Sequence, residues 1–94
     1  MPTIFEALPN CGYKMTRETI GTDFDKTTDF IIYVKGDRPN YEVVAIRESN
    51  WIVYEHYENG SKVISLSGVL NHQTCTPLDP NAKKMCRSLG LRRL

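Results

Sequence analysis

WIVYEHYENGSKVISLSGVL, residues 51–70, is the stretch from which the fold is read. Two runs rich in β-branched and aromatic residues flank Asn59-Gly60. A two-residue hairpin turn needs positive φ at both central positions, and Asn-Gly adopts that conformation with least strain. The stretch therefore reads as a β-hairpin. Pairing outward from the turn sets Tyr57 opposite Lys62, Glu55 opposite Ile64 and Val53 opposite Leu66.

Two more strands precede the hairpin. FIIYVK (30–35) is β-branched, aromatic and too short for a buried helix, and YEVVAIRE (41–48) follows the turn cluster Gly36-Asp37-Arg38-Pro39-Asn40. Ser49-Asn50 serves as a tight turn into Trp51. Residues 30–70 are thus expected to form an antiparallel meander of about four strands. A five-residue loop at 36–40 pairs Phe30 with Ile46, and a two-residue loop at 49–50 pairs Ile46 with Val53. With side chains alternating, one face collects Phe30, Ile32, Val34, Val44, Ile46, Trp51, Val53, Tyr57, Ile64 and Leu66. Glu55 is the misfit there: it either reaches Lys62 diagonally or marks a slip in register. The opposite face collects Tyr33, Tyr41, Arg47, Tyr54 and His56.

The C-terminal segment supplies a cover for the apolar face. Asp79 suits a helix N-cap, Pro80 the first helical position and Gly90 the stop. Ala82, Met85, Cys86 and Leu89 fall on one stripe at helical spacing. The fold class is therefore α+β, with a helix at 80–89 packed on one side of the meander. Residues 1–94 make one domain: an irregular N-terminal segment (1–29), the meander (30–70) and a basic helix and tail (79–94).

Composition narrows the functional classes. A content of 40% hydrophobic and 24% charged residues fits a globular chain rather than a disordered one. No apolar run is long enough for a membrane helix. The N-terminus lacks the pattern of a secretory signal, so the expected compartment is the cytoplasm, with no membrane association. Three irregularly spaced cysteines, Cys11, Cys75 and Cys86, do not form a disulfide framework. His72, Cys75, Cys86 and Cys11 contain only one closely spaced pair, against the paired spacing of structural zinc sites. Neither a metal nor a cofactor is expected.

Charge is unevenly placed. Residues 1–82 carry seven basic and eleven acidic side chains, whereas residues 83–94 carry five cations and no acid. This asymmetry marks an interaction end. Three readings follow. The first is a small non-enzymatic binding protein, of a kind common in phages and other mobile elements, that inhibits or modulates a larger protein. Its partner would bind the open sheet face through Tyr33, Tyr41, Arg47, Tyr54 and His56, since Tyr and Arg are enriched at interfaces. Self-association is a variant of this reading. The second is a nucleic-acid-binding accessory protein using Lys83, Lys84, Arg87, Arg92 and Arg93 on phosphates. The third is a small hydrolase or ribonuclease-like enzyme built on Cys75 with His72, or on His56. Glu55 and His56 point to opposite faces of one strand, so they cannot share a proton directly. No motif assigns a catalytic residue, and the first reading is preferred.

Overall fold

The computed structural model describes residues 3–16, 31–47 and 50–91. A short helix, α1 (Ile4–Asn10), leads into strand β1 (Lys14–Thr16). Four longer strands follow: β2 (Ile31–Asp37), β3 (Asn40–Ile46), β4 (Trp51–Glu58) and β5 (Ser61–Asn71). A two-residue strand, β6 (Thr76–Pro77), precedes helix α2 (Pro80–Leu89). The strands lie in sequence order in one antiparallel sheet, β1-β2-β3-β4-β5-β6. The α+β class and the covering helix are as expected. Among the described residues the sheet has six strands rather than four, the additional β1 and β6 being only three and two residues long.

The Asn59-Gly60 hairpin turn is present, with φ of 53° and 81°. Glu58 faces Ser61 and Tyr57 faces Lys62. Beyond that pair the register shifts by one residue opposite His56/Tyr57, so that His56 faces Ile64, Glu55 faces Ser65 and Val53 faces Ser67. Val63 is the extra residue of this bulge. The other two turns also differ from expectation. Asp37 pairs with Asn40 across Arg38-Pro39, which sets Ile31 rather than Phe30 opposite Ile46. Arg47 N–H donates to Trp51 O at 2.8 Å, and Ile46 pairs with Ile52 rather than Val53.

Each one-residue slip exchanges the faces of a whole strand. The expected division into one apolar and one polar-aromatic face is therefore replaced by two apolar faces. Toward the helices lie Tyr33, Val44, Ile46, Ile52, Tyr54 and Leu70, all buried, with Leu66 partly so. Ile32, Tyr41, Val43, Ala45 and Tyr57 form a second buried cluster on the other face, flanked by Val34 and Val53. Of the residues expected on the apolar face, Val44, Ile46 and Leu66 lie under the helices, whereas Tyr57 and Val34 do not. Ile32 and Val53 are on the opposite face, and Trp51 is half-buried.

Helix α2 forms as its punctuation dictates. Asp79 Oδ1 accepts from Ala82 N–H at 2.7 Å, closing the first turn. Gly90 adopts φ 74°, and Leu91 N–H and Gly90 N–H donate to Cys86 O and Arg87 O, a Schellman ending. Ala82, Met85, Cys86 and Leu89 are buried against the sheet. Helix α1, like β1, lies within the N-terminal segment expected to be irregular, and the helix has no counterpart in the sequence reading. Pro9 removes a hydrogen bond only from its last turn. Tertiary contacts hold the rest: Ile4 and Leu8 are fully buried, and Ile4 N–H donates to His72 O at 2.7 Å.

The α2–β5 approach depends on Gly68. A Cβ there would lie 2.5 Å from Ala82 N and 2.9 Å from Ala82 Cα, both helix backbone atoms. Gly68→Ala is expected to destabilise the fold by about 1–3 kcal/mol, as overpacking does. The adjacent exposed change Ser67→Ala is expected to stay within about 0.5 kcal/mol. Urea unfolding midpoints of the two variants check this; equal midpoints would show that α2 does not rest on Gly68.

Candidate protein-interaction edge

Strand β5 is the longest among the described residues; it pairs with β4 from Ser61 to Val69 and on its other side with β6 at Leu70 and Asn71. Antiparallel pairing turns the backbone groups of alternate residues toward the neighbour and the rest away from it. Val69 is of the outward kind: its N–H donates to Asp79 Oδ2 at 3.0 Å and its C=O accepts from Leu78 N–H at 2.9 Å. Beyond Val69, Leu70 faces Pro77 and Asn71 faces Thr76. Toward the hairpin, Ser67 and Ser65 share the outward orientation of Val69. Among the described residues no strand lies on that side and their outward groups have no partner. Both serines are solvent-exposed.

The side chains along this open edge are chiefly apolar or small. Val63 and Ile64 are 50% and 39% exposed, and Leu78, where the edge closes, is 57% exposed. Natural edge strands are commonly guarded by charge or proline. Here the edge carries one charge, Lys62, and it is turned inward. Its Nζ lies 2.6 Å from Oε2 of Glu55, a carboxylate only 2% exposed on the face away from the helices. Tyr57 donates its hydroxyl to the other Glu55 oxygen at 3.2 Å and stacks on Tyr41 at 4.5 Å between ring centroids. The Val63 bulge creates this arrangement. It leaves Lys62 on the face of Glu55 while sending Ile64 and Leu66 to the helix face. The Glu55 misfit in the sequence pattern signalled both the ion pair and the slip.

The residues expected to form a partner face are divided by the register. Tyr33 and Tyr54 lie in the helix-side core, 4% and 2% exposed. Tyr54 donates its hydroxyl to Glu42 Oε1 at 2.5 Å. Burial, reinforced by the Glu42 charge, raises the pKa of Tyr54, and burial also raises that of Tyr33. His56 shares their face, is half-buried and sits 3.7 Å from Glu58. Tyr41 and Arg47 are on the opposite face, Tyr41 buried and Arg47 exposed. The five therefore do not form one open surface. On α2, Lys83, Lys84 and Arg87 are exposed, away from the buried stripe. Arg92 and Arg93 lie outside the described residues.

The three cysteines gather at the helix-side core. Cys75 and Cys86 are buried in the helix-side core, with Cys11 packed beside it, and none of the three is in a disulfide. Burial pushes the Cys86 thiol up to about 11 and raises that of Cys75 as well, which disfavours the reactive thiolate. His72 Nε2 is buried without a hydrogen-bond partner, and burial lowers its pKa. Among the described residues no group of three or more His, Cys, Asp or Glu is arranged to hold a metal ion. No helix among them is long and apolar enough to cross a membrane.

No protein-family model, curated protein or solved structure matches this chain.

Two outcomes follow from the Glu55 cluster. Lys62→Met leaves a buried carboxylate with one neutral partner and is expected to cost about 3 kcal/mol at neutral pH. This is the low end for a broken buried pair, because Lys62 retains some solvent contact. Glu55→Gln in the Lys62→Met background is expected to recover most of the loss, measured by chemical denaturation. The second outcome concerns alkali. Burial first, then the Glu55 charge, lifts Tyr57 from 10.0 to about 12 despite the opposing effect of Lys62. The unfolded chain then releases this proton before the native one does, so stability falls as pH rises from about 10 to about 12. The Tyr57 contribution to tyrosinate absorbance, taken as the difference from Tyr57→Phe, should rise together with loss of the far-ultraviolet signal; ionisation of Tyr57 near 10 in a still-folded chain would contradict its burial.

Proposed function

We propose that this chain is a small non-catalytic binding protein whose working element is the outer edge of β5. It takes up an extended segment of a partner protein by strand addition. In this mode main-chain hydrogen bonds provide affinity and alternate side chains provide selection. The observation that carries the reading is the run from Lys62 to Gly68. Its outward backbone groups at Ser65 and Ser67 are unpaired among the described residues, and Val63 and Ile64 are exposed beside them. The covered side of the sheet supports the same choice. Tyrosines once expected to face a partner are committed to the core, which leaves the edge as the accessible recognition element.

The nucleic-acid alternative keeps one supporting feature, the exposed trio Lys83, Lys84 and Arg87 on the outer side of α2. The two readings separate in one experiment. The chain is used as bait in its native lysate, with and without nuclease, beside Ser65→Pro and the double change Lys83→Glu/Lys84→Glu. Proline at 65 removes an outward N–H without touching the β4 ladder. The expected result is a nuclease-resistant protein partner that is lost with Ser65→Pro and kept with the glutamates. Binding of that partner should also slow amide exchange at Ser65 and Ser67. Retention by Ser65→Pro, or loss with nuclease and with the glutamates, would overturn the edge reading.

A further inference from the structure

We infer that His72 is a proton-operated latch on helix α1: the helix stays docked while the imidazole is neutral and leaves the core when the ring takes up a proton.

The first observation is what His72 holds. Its backbone O accepts the N–H of Ile4 at 2.7 Å, and its ring meets that of Phe5 edge-on, with centroids 5.6 Å apart and planes at 80°. The first two residues of α1 are thus tied to one residue of the turn after β5, and displacing it releases both contacts together. The turn itself does not depend on the ring. Asn71 Oδ1 accepts from the N–H groups of Gln73 and Thr74, and Asn71 O accepts from Cys75 N–H.

The second observation is the ring nitrogen. Nε2 of His72 is buried without a hydrogen-bond partner. A neutral imidazole can leave that nitrogen as a bare lone pair, whereas an imidazolium must carry an N–H there together with the charge. Burying the charged form with no acceptor is far the more costly state. The elements around the ring carry other ionisable groups: Glu6 on α1, Cys11 at its end, Cys75 in the turn, Asp79 at the start of α2, and Lys83, Lys84, Cys86 and Arg87 along it. None of them offsets the burial, which alone lowers the pKa of His72.

The third observation is that α1 is ready to leave. It has seven residues, Thr3 gives it no side-chain cap, and Pro9 stands in its last turn. A helix so short does not persist alone. Strands β3 and β4, by contrast, are paired on both sides. The released ring titrates near the ordinary 6.5 and the docked ring below it. Below about 6.5 the released state therefore binds more protons, so docking is complete above that pH and weakens as pH falls.

The test is amide exchange of the purified full chain at about pH 7 and about pH 5, expressed as protection factors so that the chemical exchange rate cancels. The reporters are Ile4 N–H, which His72 O accepts, and Cys11 N–H, which Ala7 O accepts; Val44 and Tyr54 report the sheet. Protection at Ile4 and Cys11 is expected to fall at least ~5-fold at the lower pH while Val44 and Tyr54 hold. In His72→Phe, which keeps a ring at the site and removes the titration, the fall should vanish. His56 remains in both chains, so the difference isolates His72. Protection at Ile4 and Cys11 that ignores pH overturns the latch. So does an equal fall in His72→Phe, or a fall shared by Val44 and Tyr54, which is general unfolding. If circular dichroism shows His72→Phe unfolded, the imidazole proton resonances of the unaltered chain decide. Titration of His72 below 6.5, in step with the loss at Ile4, supports the latch; titration at 6.5 or above, or out of step with α1, overturns it.

Discussion

The carboxylate of Asp79 fixes the relation between helix and sheet. One oxygen takes Ala82 N–H and starts α2; the other takes Val69 N–H and ends the free run of β5. A single side chain thereby closes a helix terminus and part of a sheet edge, two places where orphaned backbone groups would otherwise collect. Gly68 allows this by letting helix backbone approach to within van der Waals contact. Replacing either residue would act at the same junction, through a lost acceptor in one case and an added carbon in the other. The free length of β5, and hence the candidate site, is set by where Asp79 reaches.

The second structural decision is the Val63 bulge. A straight register would keep Lys62 on the face of Glu55 but bring Ile64 and Leu66 onto that face too, around the buried carboxylate. One inserted residue resolves the conflict. It lets a buried ion pair and an apolar stripe occupy neighbouring positions of one strand on different faces. Buried pairs of this sort are weak sources of net stability but strongly disfavour alternatives that would strand one charge. In an antiparallel sheet the nearest alternative is a slipped register. The Glu55–Lys62 contact therefore acts as a register lock beside a strand whose small, repetitive serines would otherwise specify alignment weakly.

Legibility in the sequence followed the range of the interaction. Asn59-Gly60, Asp79-Pro80 and Gly90 are local signals with local causes, and their turn, helix start and helix stop are where the sequence places them. The faces of the strands were not legible, because each depends on counting loop residues at 36–40, 48–50 and the bulge, and one miscount inverts a strand. Both faces proved apolar, so hydrophobic pattern could not correct the count. Helix α1 was hidden by Pro9, whose cost in the last turn is offset by burial of Ile4 and Leu8. The candidate edge had a trace in the sequence, since Ser61 to Ser67 holds only one charge. Its openness depends on Asp79 and β6, which periodicity does not reveal.

The link from Ile4 N–H to His72 O has a consequence for assembly. Every described strand pairs with its neighbour in sequence, and α2 folds back on the strand just before it. Such contacts close short loops at small entropic cost and form quickly. Helix α1 is the exception: it must find a carbonyl near the far end of the chain. Too short to persist alone, it gains its stability only once β5 and β6 present that surface. Helix α1 therefore docks late, after the residues around His72 that complete its surface are in place.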